Sequence, residues 1–202
     1  MKLYYSPGAC SLSPHIALHE AGLPFQSVLA STKTKKLADG TDYLGINPKG
    51  QVPLLELDDG QRLTEGPVIV QYIADLVPDK QLAPAAGTMA RYRLMEWLNF
   101  ITSELHKSFG PLFNAAMPEE GKALYRARLA DKFKWVDAQL DGKTWLMGDS
   151  FTVADGYLFN VSNWARHVGL DLSGLAHLQA YLQRVAARPA VQAALRSEGL
   201  VK

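Results

Sequence analysis

Lys2-Leu3-Tyr4-Tyr5, Ser6-Pro7-Gly8 and Ala9-Cys10-Ser11-Leu12-Ser13-Pro14-His15 follow one another near the start of the chain. The first four residues read as a short strand, rich in aromatic and apolar side chains. Ser6-Pro7-Gly8 stops it, because proline and glycine favour turns. A helix is expected from about Ser11 to Ala21, with Gly22 and Pro24 as its stop signals. Gln26 to Leu29 reads as a second strand. Strand, helix and strand in so short a span imply a right-handed parallel crossover. The first part of the chain is therefore α/β.

Working outward, Ser31 to Gly40 carries Lys33, Lys35 and Lys36 and reads as a polar loop. Gln51-Val52-Pro53-Leu54-Leu55-Glu56-Leu57 reads as a strand, Asp58-Asp59-Gly60 as a hairpin turn, and Gln61 to Leu63 as the return strand. A helix is expected from about Gly66 to Val77, with Val68, Ile69, Tyr72, Ile73 and Leu76 as its apolar stripe. Pro78, Pro84 and Gly87 then interrupt the pattern, and 81–86 is taken as a linker between a domain over 1–80 and a second over 87–202. No strand pattern follows Gly87. Helices are expected near 88–115, 119–140, 152–168, 173–186 and 189–197. Thr152-Val153-Ala154-Asp155 has capping-box spacing, with aspartate in place of the usual glutamate. The helix that it opens carries Ala154, Tyr157, Leu158, Val161, Ala165 and Val168 as an apolar stripe and reads as structural.

Charge narrows the function. Lys and Arg number 21 against 20 Asp and Glu, so there is no electrostatic footprint for nucleic acid or for a membrane surface. No run approaches the roughly eighteen apolar residues of a membrane span. The apolar start breaks after Tyr5, too short for a signal peptide. One cysteine, Cys10, allows no disulfide within the chain. A cytoplasmic protein is expected.

Four places could carry chemistry. Cys10 lies where a strand gives way to a helix, and helix-end amides favour a thiolate. Cys10-Ser11-Leu12-Ser13 has the spacing of a dithiol motif with serine in the second place, so a mixed disulfide with a small thiol is open to it. A buried, inert thiol is the alternative. Val52-Pro53 stands inside a strand pattern although proline has no N–H to give. A cis bond would present the Val52 backbone to an extended peptide, whereas the general preference for trans favours an edge strand. Thr64-Glu65-Gly66-Pro67 opens a helix whose amides could hold a carboxylate while Glu65 holds an ammonium; simple capping is the plainer reading. On the long helix after the linker, Leu94, Leu98, Ile101 and Leu105 share one face and Asn99, Ser103 and His106 the other, either as a solvated side or as a polar wall. His15 and His19 are four apart, but no third ligand is evident and no metal is expected.

Taken together, the stretch from Tyr4 to His15, Asn47-Pro48-Lys49-Gly50-Gln51-Val52-Pro53, Leu63-Thr64-Glu65-Gly66, Glu96-Trp97-Leu98-Asn99-Phe100, Glu104-Leu105-His106-Lys107 and Phe151 to Asp155 resemble the bacterial beta-class glutathione S-transferases, in order and along essentially the whole chain. The resemblance implies a thioredoxin-like first domain with a mixed four-stranded sheet, an all-helical second domain, and a homodimer. It implies a cis Val52-Pro53 bond. It implies that glutathione, as co-substrate, meets Cys10, Lys35, Val52, Pro53, Glu65, Gly66, Asn99, Ser103, Glu104 and His106. Cys10, His106 and Tyr5 are then the catalytic candidates, with Ser11 nearby. An electrophile would lie between the domains against Tyr5, Ala9, Phe109, Leu112, Phe113 and Trp164. The implied activity is conjugation of glutathione to electrophiles, in detoxification or metabolism, with thiol-disulfide exchange through Cys10 beside it. A non-catalytic adaptor of the same fold would be expected to lose the head-group residues that this chain keeps.

Overall fold

The computed structural model describes residues 1–201. Its strands are β1 (Lys2–Tyr5), β2 (Gln26–Leu29), β3 (Leu54–Glu56) and β4 (Arg62–Thr64). Its helices are α1 (Leu12–Ala21), α2 (Gly66–Asp75), α3 (Met89–Phe100), α4 (Lys107–Phe113), α5 (Glu119–Gln139), α6 (Val153–Ser162), α7 (Ala176–Ala186) and α8 (Pro189–Ser197). Two compact units are present. One comprises Met1–Ala83 together with the segment from Arg188 onward, and the other Pro84–Ala187.

The first unit is built on a mixed sheet of order β2-β1-β3-β4, a thioredoxin-like arrangement. β1 and β2 pair in parallel, as the crossover requires, and β3 runs antiparallel to both β1 and β4. Strand alternation sorts the side chains. Leu3 pairs with Leu55 and both are fully buried. Tyr4 pairs with Leu54 and turns to the other face, where both join Ala30, Tyr43 and Val52.

Three expectations shift here. β3 begins at Leu54, not Gln51, because Pro53 has no N–H for a ladder; the Val52-Pro53 bond is cis. Val68 in α2 and Leu76 just past its end are 50% and 44% exposed, while Val70 and Ala74 join Ile69 and Ile73 in the interior. The packing of α2 against α1 and the sheet sets that stripe, and apolar character alone does not reveal it. α8, expected within the second domain, groups with the first unit. It packs along α1, and the Arg188 guanidinium forks onto both carboxylate oxygens of Glu20, its Nη2 at 2.8 Å from Oε2. α1 is accordingly buried from Leu12 to Leu18.

In the second unit, Thr88 caps α3 by accepting the Arg91 N–H. The expected single helix over 88–115 is interrupted. Ile101–His106 widens into a π-helical turn, with Lys107 N–H reaching the Thr102 carbonyl five residues back. Hydroxyls crowd that turn. Thr102 Oγ1 donates to the Leu98 carbonyl at 2.8 Å and Ser103 Oγ to the Asn99 carbonyl at 3.0 Å, competing with backbone donors. Leu94, Leu98, Ile101 and Leu105 are buried, as their spacing predicts.

All of α6 is buried. Its capping box closes, Thr152 N–H donating to Asp155 Oδ2 at 2.7 Å. Asp155 also accepts from Leu146 N–H and from the Tyr181 hydroxyl, each at 2.9 Å. Burial pushes the Asp155 carboxyl up, and burial beside Asp155 pushes the Tyr181 phenol well up, so Tyr181 stays a donor. α6 ends at Ser162, six residues short of the expected 168. No helix among the described residues is long and apolar enough to cross a membrane.

Candidate functional site

In the first unit the chain between β1 and α1 forms a tight loop. Ala9 N–H bonds the Ser6 carbonyl at 3.0 Å, while Ser11 Oγ accepts from Ser6 N–H at 3.1 Å and donates to its carbonyl at 3.2 Å. Gly8 takes a positive φ of 69°. Its N–H donates to Glu198 Oε2 at 2.8 Å, and Glu198 Oε1 lies 2.8 Å from His15 Nδ1, with both side chains sealed from solvent. The loop is thus pinned from within by a serine and from behind by the residue that caps α8.

Cys10 ends this loop, half-buried. Its thiol donates to the Val52 carbonyl oxygen at 3.1 Å. Of the two readings open for Val52-Pro53, the bond is the cis one, and the Val52 carbonyl accepts from the thiol. Tyr5 sits at the end of β1 with its ring edge-on to His15 at 5.4 Å. Burial, with the Glu198 carboxylate adding to it, pushes the Tyr5 phenol up and keeps it protonated.

The segment that carries Val52 is held by side chains around it. Tyr43 OH and Asn47 Nδ2 both donate to the Gln51 carbonyl, at 2.8 and 2.7 Å. Lys35 takes a left-handed φ of 58° and sends Nζ to the Gly50 carbonyl at 2.7 Å. Gly50 is required there, since its φ is 59° and a Cβ would stand 2.9 Å from Leu44 Cδ2.

Glu65 precedes α2 with φ 69° and ψ 107°, a conformation that costs a non-glycine residue about 1–3 kcal/mol. It does not cap the helix through its side chain, so the plain capping reading fails. The carboxylate instead points outward, 61% exposed, and takes the Lys49 ammonium at 2.7 Å; Lys49 also reaches Thr64 Oγ1 at 3.0 Å. An exposed carboxylate beside the amino end of a helix opened by Gly66-Pro67 can bind an ammonium and a carboxylate at once.

In the second unit the candidate residues cluster on and beside the π turn. Asn99 and Ser103 are exposed. Glu104 turns to α5, where Lys132 and Arg128 meet its carboxylate, Arg128 at 3.5 Å. The Lys132 ammonium, with Arg128 behind it, holds that carboxyl below its ordinary range. His106 is half-buried and turned toward α6, its Nδ1 2.6 Å from the Tyr157 hydroxyl and its ring centre 4.8 Å from that of Trp164, the two planes at 72°. The single polar face expected for Asn99, Ser103 and His106 is therefore split, because the π turn shifts the phase of the helix. Of the expected apolar lining, Phe109 and Leu112 are buried, Phe109 packing on Phe133, while Phe113 is exposed. Among the described residues no group of three or more His, Cys, Asp or Glu could hold a metal ion.

Residues 8–76 match the model of the glutathione S-transferase N-terminal domain, and residues 100–189 that of the C-terminal domain. The chain belongs to the glutathione S-transferase family. It is 52% identical to the glutathione S-transferase GstA of Escherichia coli O157:H7 over 200 residues, covering 99% of this chain and 100% of that one. A sphingomonad glutathione S-transferase complexed with glutathione superposes with a TM-score of 0.96 at 46% identity, with complete coverage of both chains. A bacterial beta-class glutathione S-transferase from Sphingomonas chungbukensis does so at 48% identity, with the same TM-score and coverage. The beta-class resemblance of the motifs is met by these matches.

Several residues of this glutathione transferase that meet the candidates are not marked as such by the sequence. Tyr157 reads only as part of an apolar stripe, yet its hydroxyl meets His106. Lys49 lies within a quoted motif, and its positive charge near Glu65 was the available signal. Glu198 gave none, being 190 residues from its partner Gly8.

Proposed function

We propose that the chain binds glutathione and conjugates its sulfur to small electrophiles. The observation that carries this is Glu65, held at a strained positive φ with an outward carboxylate beside the amino end of α2. That arrangement suits the zwitterionic head group of a γ-glutamyl peptide, and the related sphingomonad structure is a complex with glutathione. Glu65 takes the ammonium and the Gly66 end of α2 the carboxylate. The backbone at Val52-Pro53 pairs with the peptide, Lys35 meets its glycine carboxylate, and Cys10 lies beside its sulfur. Asn99, Ser103, Glu104 and His106 supply the remaining contacts.

Conjugation needs the glutathione thiolate, since the thiol is a poor nucleophile. The thiol gives up its proton to solvent, the sulfur forms a bond to the electrophilic carbon, and the leaving group departs with its electron pair. Donors such as His106 stabilise the anion, and Tyr5, kept protonated by burial, is a further donor candidate. The same site suits a second reaction. A Cys10 thiolate attacking a small disulfide RSSR forms a Cys10–SR mixed disulfide and releases RS⁻, and a glutathione thiolate then attacks the SR sulfur, forming GSSR and freeing the Cys10 thiolate. The active form is a homodimer of a cytoplasmic detoxifying enzyme. The direct test is consumption of glutathione with an activated chloroaromatic. Turnover that saturates in both substrates supports the reading, and a rate equal to the uncatalysed one overturns it.

A further inference from the structure

Lys49 and Glu65 form an ion pair where the ligand's head group is expected, and the pair is held from both sides. Asn47, 3% exposed, accepts the Lys49 N–H on Oδ1 at 3.2 Å and the Gly50 N–H on its carbonyl at 2.8 Å, so the backbone that carries Lys49 is fixed in a turn. Glu65 follows β4, whose Thr64 pairs with Leu54 of β3. Lys49 Nζ reaches across to Thr64 Oγ1 at 3.0 Å and to Glu65 Oε1 at 2.7 Å. Both charged side chains stay more than half exposed, so a ligand can reach them. An ammonium carries three N–H groups. Among the described residues Lys49 Nζ has these two acceptors, which leaves its third N–H for a ligand.

An amine that approaches Glu65 meets a positive charge already in place. Like charges at contact distance repel even in water. A carboxylate on the same carbon of the ligand relieves that repulsion, because it can take the third Lys49 N–H while the ligand's ammonium takes Glu65. The four charges then alternate in sign. A fixed pair of opposite charges is matched by a zwitterion and by neither of its halves alone. We infer that Lys49 is a specificity-determining residue of the head-group site, binding the α-carboxylate of the γ-glutamyl residue and so selecting α-amino-acid head groups over plain amines. This rests on the reading above that Glu65 takes the ligand's ammonium. It adds a side-chain cation to the α2 amides as a holder of the carboxylate.

The test is calorimetry on the intact chain with two peptides, glutathione and γ-aminobutyryl-cysteinylglycine, which is glutathione with hydrogen in place of the α-carboxylate. Wild type should prefer glutathione. Lys49→Met keeps the apolar stem and removes the charge, at an exposed position where folding tolerates it. In this variant the affinity ratio between the two peptides should fall about fivefold, the scale of a well-placed exposed ion pair. The fall should come from weaker binding of glutathione, with the aminobutyryl peptide unchanged or tighter. Other partners of Glu65 act on both peptides alike and cancel in the ratio. Lys33→Met, which removes an exposed lysine elsewhere in the same unit, should keep the wild-type ratio. A ratio that Lys49→Met leaves unchanged, equal tightening of both peptides, or an equal fall in Lys33→Met would overturn the assignment while the glutathione reading stands. No binding of glutathione by wild type would sink both.

Discussion

The Glu198 carboxylate reaches back 190 residues to accept the Gly8 N–H at 2.8 Å, and its other oxygen meets His15 Nδ1. One buried side chain at the end of α8 thereby fixes both the loop before Cys10 and the helix after it. Removing it leaves a buried imidazole and a backbone donor without their acceptor. Glu198→Ala is expected to lose about 1–3 kcal/mol, the range for depriving a buried polar group of its hydrogen-bond partner. Glu198→Gln, which keeps an acceptor for Gly8, should lose clearly less. Urea unfolding measures both, and equal losses would mean that packing alone matters at this position.

Cys10 gives a sharper functional contrast. Its thiol is the only sulfhydryl in the chain and lies against the Val52 carbonyl. Cys10→Ser keeps a donor to that carbonyl but cannot form a disulfide. Glutathione-dependent exchange with a small disulfide other than glutathione disulfide should vanish in this variant, while conjugation of an activated chloroaromatic stays within about tenfold of wild type, the scale of one modest hydrogen-bond change. Undiminished exchange would remove Cys10 from the redox role.

Glu104 carries a pH prediction. The Lys132 ammonium holds its carboxyl below the unfolded value of 4.5. A depressed carboxyl contributes stability that is fully present above the unfolded value and fades as pH falls through the folded one. The urea midpoint of wild type should therefore exceed that of Glu104→Gln at neutral pH, and the gap should close as pH falls below about 4.5. The gap should be small, because the pair is solvent-exposed and screened. A gap that widens toward acid would contradict the Lys132 pairing.

Much of the first unit could be read locally. β1, α1 and β2 follow from the Tyr4-Tyr5 strand, the Ser6-Pro7-Gly8 stop and the Gly22-Pro24 stop, because those signals act within a few residues. The hairpin at Asp58-Asp59-Gly60 is legible for the same reason. What could not be read depends on partners distant in sequence. Val68 and Val70 are equally apolar, and only the packing of α2 decides that Val70 is inside. The π turn arises where hydroxyls at Thr102 and Ser103 compete for carbonyls, a pattern with no simple periodic signature. Candidate residues Cys10, Glu65 and Gly66 stand out in the sequence by chemistry and position, whereas Tyr157 reads as core and Glu198 carries no signal, because their partners are distant in sequence.

Glutathione titration by calorimetry, on wild type and on Glu65→Ala, tests the central claim most directly. The exposed Glu65 carboxylate is assigned the ligand's ammonium, so wild type should bind and Glu65→Ala should bind at least about tenfold more weakly, a loss of roughly 1.4 kcal/mol. No heat from wild type at about 10 mM glutathione, a concentration at which even a millimolar Kd would register, or equal affinity in the two chains, would contradict it.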